Sequence, residues 1–194
     1  MLIIEHRKNT IDELVKVPVG HGVEIDVRSV ADRLILNHDP FTDGELFEDW
    51  LEHYRHNLLI LNVKEEGLEQ RIKSLMEERG IVNFFFLDLS FPFIVKQIKA
   101  GEKRIAVRFS EYESIETCLS LAGKVEWVWV DCFDKFPLDQ NAYRRLSKHF
   151  RLCLVSPELV GRTDDIEAMK TQTVGMKIDA VCTKYPKEWE QPAG

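Results

Sequence analysis

Several features that mark whole classes of protein are missing from this sequence. No apolar run approaches the roughly 20 residues of a membrane-spanning helix, although hydrophobic residues make up 44% of the 194. Basic residues are also in deficit, since 26 Lys and Arg stand against 33 Asp and Glu, whereas a nucleic-acid-binding surface needs clustered positive charge. We therefore expect a protein with no transmembrane segment and no nucleic-acid partner.

Cysteine is sparse and scattered, and no C-x-x-C pair occurs. The four cysteines stand singly beside apolar residues, at Cys118, Cys132, Cys153 and Cys182. A zinc site or a disulfide framework would need closer spacing, and cysteine is among the residue types most often buried. Residues 1–6 also lack the basic and apolar pattern of a secretory signal. These observations predict buried, reduced thiols in a cytoplasmic protein.

What the sequence does contain is an alternation of apolar, β-branched runs with segments of helical spacing. Strands are predicted at 2–6, 23–27, 58–63, 82–89, 104–109, 126–133, 151–155 and 179–182, and helices at 42–55, 68–79, 92–100, 111–121, 142–148 and 164–173. Such alternation is typical of parallel strands joined by right-handed crossovers. Eight units of this kind close most naturally into a barrel. We predict one domain over residues 1–194, a compact (β/α)8 TIM-type barrel with short loops.

The alternative architecture is an open, doubly wound sheet of eight strands. That fold usually carries a glycine-rich phosphate loop after its first strand, and no G-x-G-x-x-G occurs here. The first crossover, 8–22, is short for a full helical layer, and the extra extended run 33–36 predicts an extension or hairpin beside the second strand. Residues 42–45 and 110–113 match capping boxes at the start of two predicted helices.

Polar residues collect where the predicted strands end, which is the edge that carries the site in such barrels. Glu24 and Asp26 are two residues apart on one strand and therefore share a face. A carboxylate pair in water-poor surroundings needs a cation or protonation to compensate it. Oxygen ligands of this kind suit Mg²⁺ or Ca²⁺. The competing interpretation is that each strand-end polar residue is an ordinary cap or loop residue.

Taken in order, these polar residues resemble those of a known family. The pattern is His6-Arg7, then Glu24-x-Asp26-Val27-Arg28, then His38-Asp39, then a strand ending at Lys64, then Ser90-Phe91. It resembles the glycerophosphodiester phosphodiesterase family, which belongs to the wider group of phospholipase-C-like barrels. The likeness is strongest over residues 1–91.

The resemblance implies a metal-dependent phosphodiester hydrolase. It assigns acid and base catalysis to His6 and His38, and phosphate binding to Arg7 and Lys64. It also implies that Glu24 and Asp26 bind a divalent cation, Mg²⁺ or Ca²⁺. Short loops favour a small or glycan-linked phosphodiester as the substrate.

Two departures from the family pattern qualify this assignment. Lys8 stands where the family has a glycine after His-Arg, and Asn62 stands where the family has its third, acidic metal ligand. We expect Asp88, on the next predicted strand, to supply the missing charge. These departures leave two alternatives: a catalytically weak or inactive barrel that binds a phosphorylated ligand or partner, and a lyase that forms a cyclic phosphate.

Overall fold

The computed structural model describes residues 1–191, and the chain folds into two compact units. One unit comprises residues 5–101. The other comprises residues 1–4 and the described residues from 102 onward. Each unit is a mixed α/β structure.

The chain begins with strand β1 (Leu2–Glu5). The unit of residues 5–101 then contains helix α1 (Ile11–Leu14), strands β2 (Gly22–Val30), β3 (Arg33–Leu36) and β4 (Glu45–Leu46), helix α2 (Phe47–Leu51), strand β5 (Leu59–Val63), helix α3 (Glu69–Glu78), strand β6 (Phe84–Leu87) and helix α4 (Phe91–Lys99). Helix α1 is a single turn, which agrees with the short crossover predicted for this segment.

Strand β2 organises the sheet of this unit. Its residues 23–27 pair in parallel with β5, and β5 pairs in parallel with β6. Its last residues pair antiparallel with β3, with Val27 opposite Leu36. The hairpin predicted for residues 33–36 is therefore confirmed. The parallel pairing brings the carboxyl ends of β2, β5 and β6 to one edge of the sheet.

The strands of this unit are almost wholly buried. Every residue of β5 and β6 is buried, as are the large side chains of Phe47 and Trp50 on α2. Strands covered on both faces have near-continuous apolar sequences. Against this background the buried polar residues Glu24, Asp26 and Asn62 are exceptions that need a physical explanation.

The second unit is also built on parallel strands. It contains β7 (Ala106–Phe109), α5 (Ile115–Ser120), β8 (Trp127–Val130), α6 (Gln140–Leu146), β9 (Arg151–Val155), α7 (Ile166–Gln172), β10 (Ala180–Thr183) and α8 (Pro186–Glu190). Strands β7, β8, β9 and β10 pair in that order. Strand β1 lies beside β10, and the backbone N–H of Leu2 donates to the carbonyl of Asp179 at 2.8 Å.

The closed (β/α)8 barrel is not confirmed. Among residues 1–191, β6 pairs only with β5 and β7 pairs only with β8, whereas closure requires two partners for every strand. The structure shows a mixed α/β fold with an open sheet. The single domain over residues 1–194 stays a prediction, and its last three residues lie outside the described part.

The helix predicted over 42–55 is much shorter than expected. It begins only at Phe47, because Glu45 and Leu46 are extended and form β4. The carboxylate of Glu45 accepts a hydrogen bond from the backbone N–H of Ile11 at 2.8 Å instead of capping its own segment. The capping box predicted at residues 42–45 is therefore wrong.

The second predicted capping box is also displaced. Ser110 donates to Glu113 at 2.7 Å, but helix α5 starts after Ser114, whose side chain accepts from the helix backbone. A reciprocal capping box occurs instead at Thr10 and Glu13, at the start of α1. Tertiary context, and not the local motif alone, decides which of these sequences starts a helix.

The predicted burial of the cysteines is confirmed. All four are buried and lie outside any disulfide, and burial raises the pKa of the thiols of Cys118 and Cys132 to about 12. Within residues 1–191, no helix has the length and hydropathy that a membrane crossing requires.

Candidate active site

The centre of the candidate site is a pair of buried carboxylates on β2. Glu24 is 1% exposed and Asp26 is 0% exposed, and their spacing puts both side chains on one face of the strand. Asn62 on β5 stands opposite Asp26 in the parallel register, and its Nδ2 donates to Oε1 of Glu24 at 3.0 Å. The structure therefore brings together three residues that were predicted as cation ligands.

The amide oxygen of Asn62 is the clearest indication of what this set can hold. Oδ1 is buried and has no hydrogen-bond partner, which for a buried polar group costs about 1–3 kcal/mol. Together with the two carboxylates it makes a donor set of oxygens alone, the kind that Mg²⁺ and Ca²⁺ prefer. The residues present thus fit a hard divalent cation, with an amide in place of a third acid.

Protonation competes with a cation at Glu24. Burial, reinforced by the neighbouring charge of Asp26, raises the pKa of the Glu24 carboxyl from 4.5 to about 7. Hydrogen bonds from Asn62 and from the backbone N–H of Arg7, together with the charge of Lys64, oppose this rise. Near neutral pH a proton therefore occupies Glu24 for part of the time, and a cation that binds this carboxylate must displace it.

Two cations lie against these carboxylates. Lys64 Nζ is 3.2 Å from Oδ1 of Asp26, and Arg7 Nε is 3.6 Å from Oδ2 of the same residue. The backbone N–H of Arg7 also donates to Glu24 at 2.8 Å, from a residue with the left-handed φ of +51°. A non-glycine residue in this region is strained, and such strain is often found at functional sites. Arg7 and Lys64 thus both contact Asp26, and the phosphate binding that the resemblance assigns to them stays a prediction.

Asp88 lies directly after strand β6, and its role as a cation ligand stays a prediction. Strand β6 ends at Leu87, and Asp88 has a φ of +60°, which breaks the alternation on which the prediction depended. Its exposed carboxylate lies 3.5 Å from Lys64 Nζ. Among residues 1–191, no group of three or more His, Cys, Asp or Glu side chains is arranged to hold a metal ion. Asp88 and Asp26 both contact the ammonium group of Lys64, and a contribution of charge from Asp88 to a cation site stays a prediction.

The two predicted catalytic histidines have different surroundings. His6 is largely buried, with Nε2 3.7 Å from Oε2 of Glu24. His38 lies in the turn after β3 with 40% of its side chain exposed, and its Nδ1 is 2.8 Å from Asp39. The hydrogen bond from His38 lowers the pKa of the Asp39 carboxyl. Their partnership as acid and base stays a prediction.

Comparison with solved structures identifies the fold. The crystal structure of a glycerophosphodiester phosphodiesterase from Agrobacterium tumefaciens str. C58 is similar with a TM-score of 0.68, over 97% of each chain at 16% identity. That of a glycerophosphoryl diester phosphodiesterase from Parabacteroides distasonis ATCC 8503 has a TM-score of 0.65 at 11% identity, over 96% of this chain and 84% of the other. The chain has the fold of the glycerophosphodiester phosphodiesterases. The predicted resemblance is therefore confirmed at the level of the fold. No family model and no curated protein matches the sequence.

One polar residue at the centre of this glycerophosphodiester phosphodiesterase fold was not predicted as part of the site. Asn9 binds Asp26 twice: its Nδ2 donates to Oδ2 at 2.9 Å, and its Oδ1 accepts from the Asp26 backbone N–H at 2.9 Å. It lies outside any predicted strand, three residues after His6. The feature of the sequence that could have indicated Asn9 is an amide side chain within the unusually short crossover 8–22.

Glu5 was also missed. It is the last residue of β1 and is buried, with Lys8 Nζ at 3.2 Å and His21 Nδ1 at 3.1 Å. The sequence could have indicated Glu5, because it is a charged residue in an apolar strand and immediately precedes His6-Arg7. The interaction places Lys8, the residue that departs from the family pattern, in a defined ion pair.

Proposed function

We propose that this protein is a divalent-cation-dependent phosphodiester hydrolase of the glycerophosphodiester phosphodiesterase family. The observation that carries the proposal is the buried set of Glu24, Asp26 and Asn62, with the unpartnered Asn62 oxygen and with Arg7 and Lys64 alongside. Two cationic side chains beside two carboxylates suit a cavity shared by a metal ion and a phosphate, because each desolvated charge then has a partner.

In this proposal Glu24, Asp26 and Asn62 hold Mg²⁺ or Ca²⁺ through oxygen atoms. The bound cation would stabilise negative charge on the non-bridging oxygens of the phosphodiester. Arg7 and Lys64 bind the same phosphate. Arg7 is available for this role because its side chain is 40% exposed while its backbone N–H is held by Glu24.

The two histidines move the protons in this proposal. Because His38 Nδ1 contacts Asp39, Nε2 of His38 is the ring nitrogen that would serve as donor or acceptor for the reacting oxygen. His6 lies beside Glu24 and serves the opposite side of the phosphate. One imidazole activates the nucleophile and the other protonates the leaving alkoxide.

The finer features predicted from the sequence belong to this proposal. They are a small or glycan-linked phosphodiester as the substrate, a cytoplasmic location, and closure of the parallel strands into a (β/α)8 barrel. The short loops support the substrate, the scattered single cysteines support the location, and the alternation of eight predicted strands with six predicted helices supports the barrel.

A second candidate function is binding of a phosphorylated ligand or partner without turnover. The observation that favours it is the replacement of the third acid by Asn62, combined with the absence, in residues 1–191, of a cluster of three potential anionic or imidazole metal ligands. In that case Arg7 and Lys64 would bind phosphate while the cation site remained weak.

Substitution of the histidines separates these functions. We expect His6→Ala and His38→Ala each to lower Mg²⁺-supported hydrolysis of bis(p-nitrophenyl) phosphate by about 10²-fold or more, the usual size of an acid–base contribution. His53→Ala, at an exposed position on the turn after α2, is the matched control and should retain wild-type turnover. Unchanged activity in both His6→Ala and His38→Ala would rule out the proposed mechanism.

A further inference from the structure

An open groove in the unit of residues 5–101 has no role in the function proposed above. It has a volume of about 560 Å³, within the roughly 300–1,000 Å³ of small-molecule pockets. It lies between the β2–β3 hairpin and residues 40–43, and we call it the hairpin groove. Its lining includes the apolar side chains of Val30, Ile35 and Phe41 and the charged side chains of Arg33 and Asp43.

Arg28 connects the hairpin groove with the strand that carries the candidate active site. Glu24, Asp26 and Arg28 alternate along β2, so their side chains share a face, and successive members are roughly 7 Å apart along the strand. Arg28 lines the groove, and its Nε and Nη2 donate to the carbonyl oxygen of His38 at 3.1 and 2.9 Å. A ligand with its phosphate at the carboxylates would therefore extend naturally past Arg28 into the groove.

Phe41 presents an unusual aromatic surface to this groove. Its side chain is fully exposed, and its backbone has a φ of +60°, in the left-handed region that bulky residues rarely occupy. Conformations of this kind cost on the order of 1–3 kcal/mol and are concentrated at ligand-binding and active sites. An exposed ring on a strained turn is well suited to stack against a ligand.

The charges of the groove balance. Arg28 lies 3.5 Å from Glu65, and Arg33 and Asp43 add one charge of each sign. A neutral lining gives no advantage to a strongly ionic group. Guanidinium donors and a carboxylate acceptor beside an aromatic face instead match a ligand with hydroxyl groups around a carbon ring.

We propose that the hairpin groove binds a sugar or cyclic polyol that forms the alcohol half of the phosphodiester substrate. Phe41 stacks on the carbon face of the ring, and Arg33 and Asp43 bind its hydroxyl groups. The proposal rests on the proposed phosphodiesterase function and adds the class of substrate to it.

Two diesters that share a glycerophosphate half test this proposal. Glycerophosphoinositol carries a cyclic polyol, and glycerophosphoethanolamine carries a short ammonium group. We expect calorimetry in EDTA, where metal-supported turnover is stopped, to give a dissociation constant about tenfold lower for the inositol diester, the size of one good aromatic contact. Phe41→Ala should remove this preference, and Phe41→Tyr should retain it. Arg33→Ala should weaken it, whereas Arg144→Ala, an exposed arginine on α6, should not.

The outcomes distinguish this proposal from the proposed function. Equal affinity for both diesters, no binding of either at millimolar concentration, or a preference that survives Phe41→Ala would overturn the groove proposal, even if the enzyme is active. A preference that depends on Phe41, with no turnover of either diester in Mg²⁺ or Ca²⁺, would uphold the groove and refute the hydrolase.

Discussion

At the scale of single residues, Glu24 is the group whose charge state controls the site. A cation that binds its carboxylate must displace the proton that burial holds there up to about pH 7. Asp26 differs, because Lys64 and Asn9 both contact its carboxylate. The two carboxyl groups on this strand face therefore have different surroundings, since Asp26 has direct contacts with Lys64 and Asn9.

The raised pKa of Glu24 predicts how stability depends on pH. Between pH 4.5 and about 7 the folded protein binds a proton that the unfolded chain releases, so this group stabilises the fold at low pH and the contribution is lost as pH rises through 7. The difference is on the order of 3 kcal/mol. Urea unfolding of wild type and Glu24→Gln in EDTA, from pH 4.5 to 8, measures this contribution as the pH-dependent difference between their unfolding free energies. A difference in unfolding free energy that does not change with pH would contradict this assignment.

Asn62 sets the affinity for the cation in this account. Asn62→Glu adds a third carboxylate at the position of the unpartnered amide oxygen, and we expect it to tighten Mg²⁺ and Ca²⁺ binding by about tenfold or more, since charge dominates hard-cation affinity. Asp88→Ala is the comparison, and because Asp88 lies against Lys64 it should change affinity less. Calorimetry at pH 8 measures both. Loss of binding in Asn62→Glu would show that the amide is not at the cation.

Which residues meet at the carboxylates was largely predictable from strand periodicity and from motif order. Glu24, Asp26, Asn62 and Lys64 each lie on or directly after a strand, where a period of two determines the face. Asn9 was not predicted because it lies in the connection between β1 and α1, where the path of the backbone depends on tertiary contacts. Strand periodicity could not give the orientation of Asp88 for a similar reason, since its positive φ ends the alternation.

At the scale of elements, the β2–β3 hairpin is the part that joins the buried carboxylates to His38. Strand β2 carries Glu24 and Asp26 in its parallel half and continues into an antiparallel pairing with β3. The turn that follows β3 holds His38. The apolar run at 33–36 predicted this hairpin, whereas the two-residue strand β4 gave no signal, because its residues match a helix start equally well.

A glycine next to the hairpin provides a test of its packing. A Cβ on Gly44 would overlap the backbone carbonyl of Leu36, at the end of β3. We expect Gly44→Ala to destabilise the protein by about 1–3 kcal/mol, because backbone must shift to accommodate it. Gly20→Ala is the matched control, since its Cβ would meet no atom within 4 Å. Equal unfolding midpoints in urea for the two variants would contradict the close contact.

At the scale of the whole molecule, strand–helix alternation predicted parallel strands in both units, and every ladder among β7 to β10 is parallel. Closure was not predictable in the same way. It depends on pairing between strands such as β6 and β7, whose four-residue sequences are too short to specify a partner. The fold is that of known glycerophosphodiester phosphodiesterases although the identities are only 16% and 11%.

The most direct test of the hydrolase proposal is phosphorus NMR of a glycerophosphodiester incubated with the protein. In Mg²⁺ or Ca²⁺ we expect the diester resonance to be replaced by a phosphomonoester, with no conversion in EDTA and at least about 10²-fold slower conversion by Asp26→Asn. Accumulation of a cyclic phosphate as the final product would identify the lyase alternative. A diester resonance that persists unchanged with either cation, or that disappears equally fast with Asp26→Asn, would contradict the proposed enzyme.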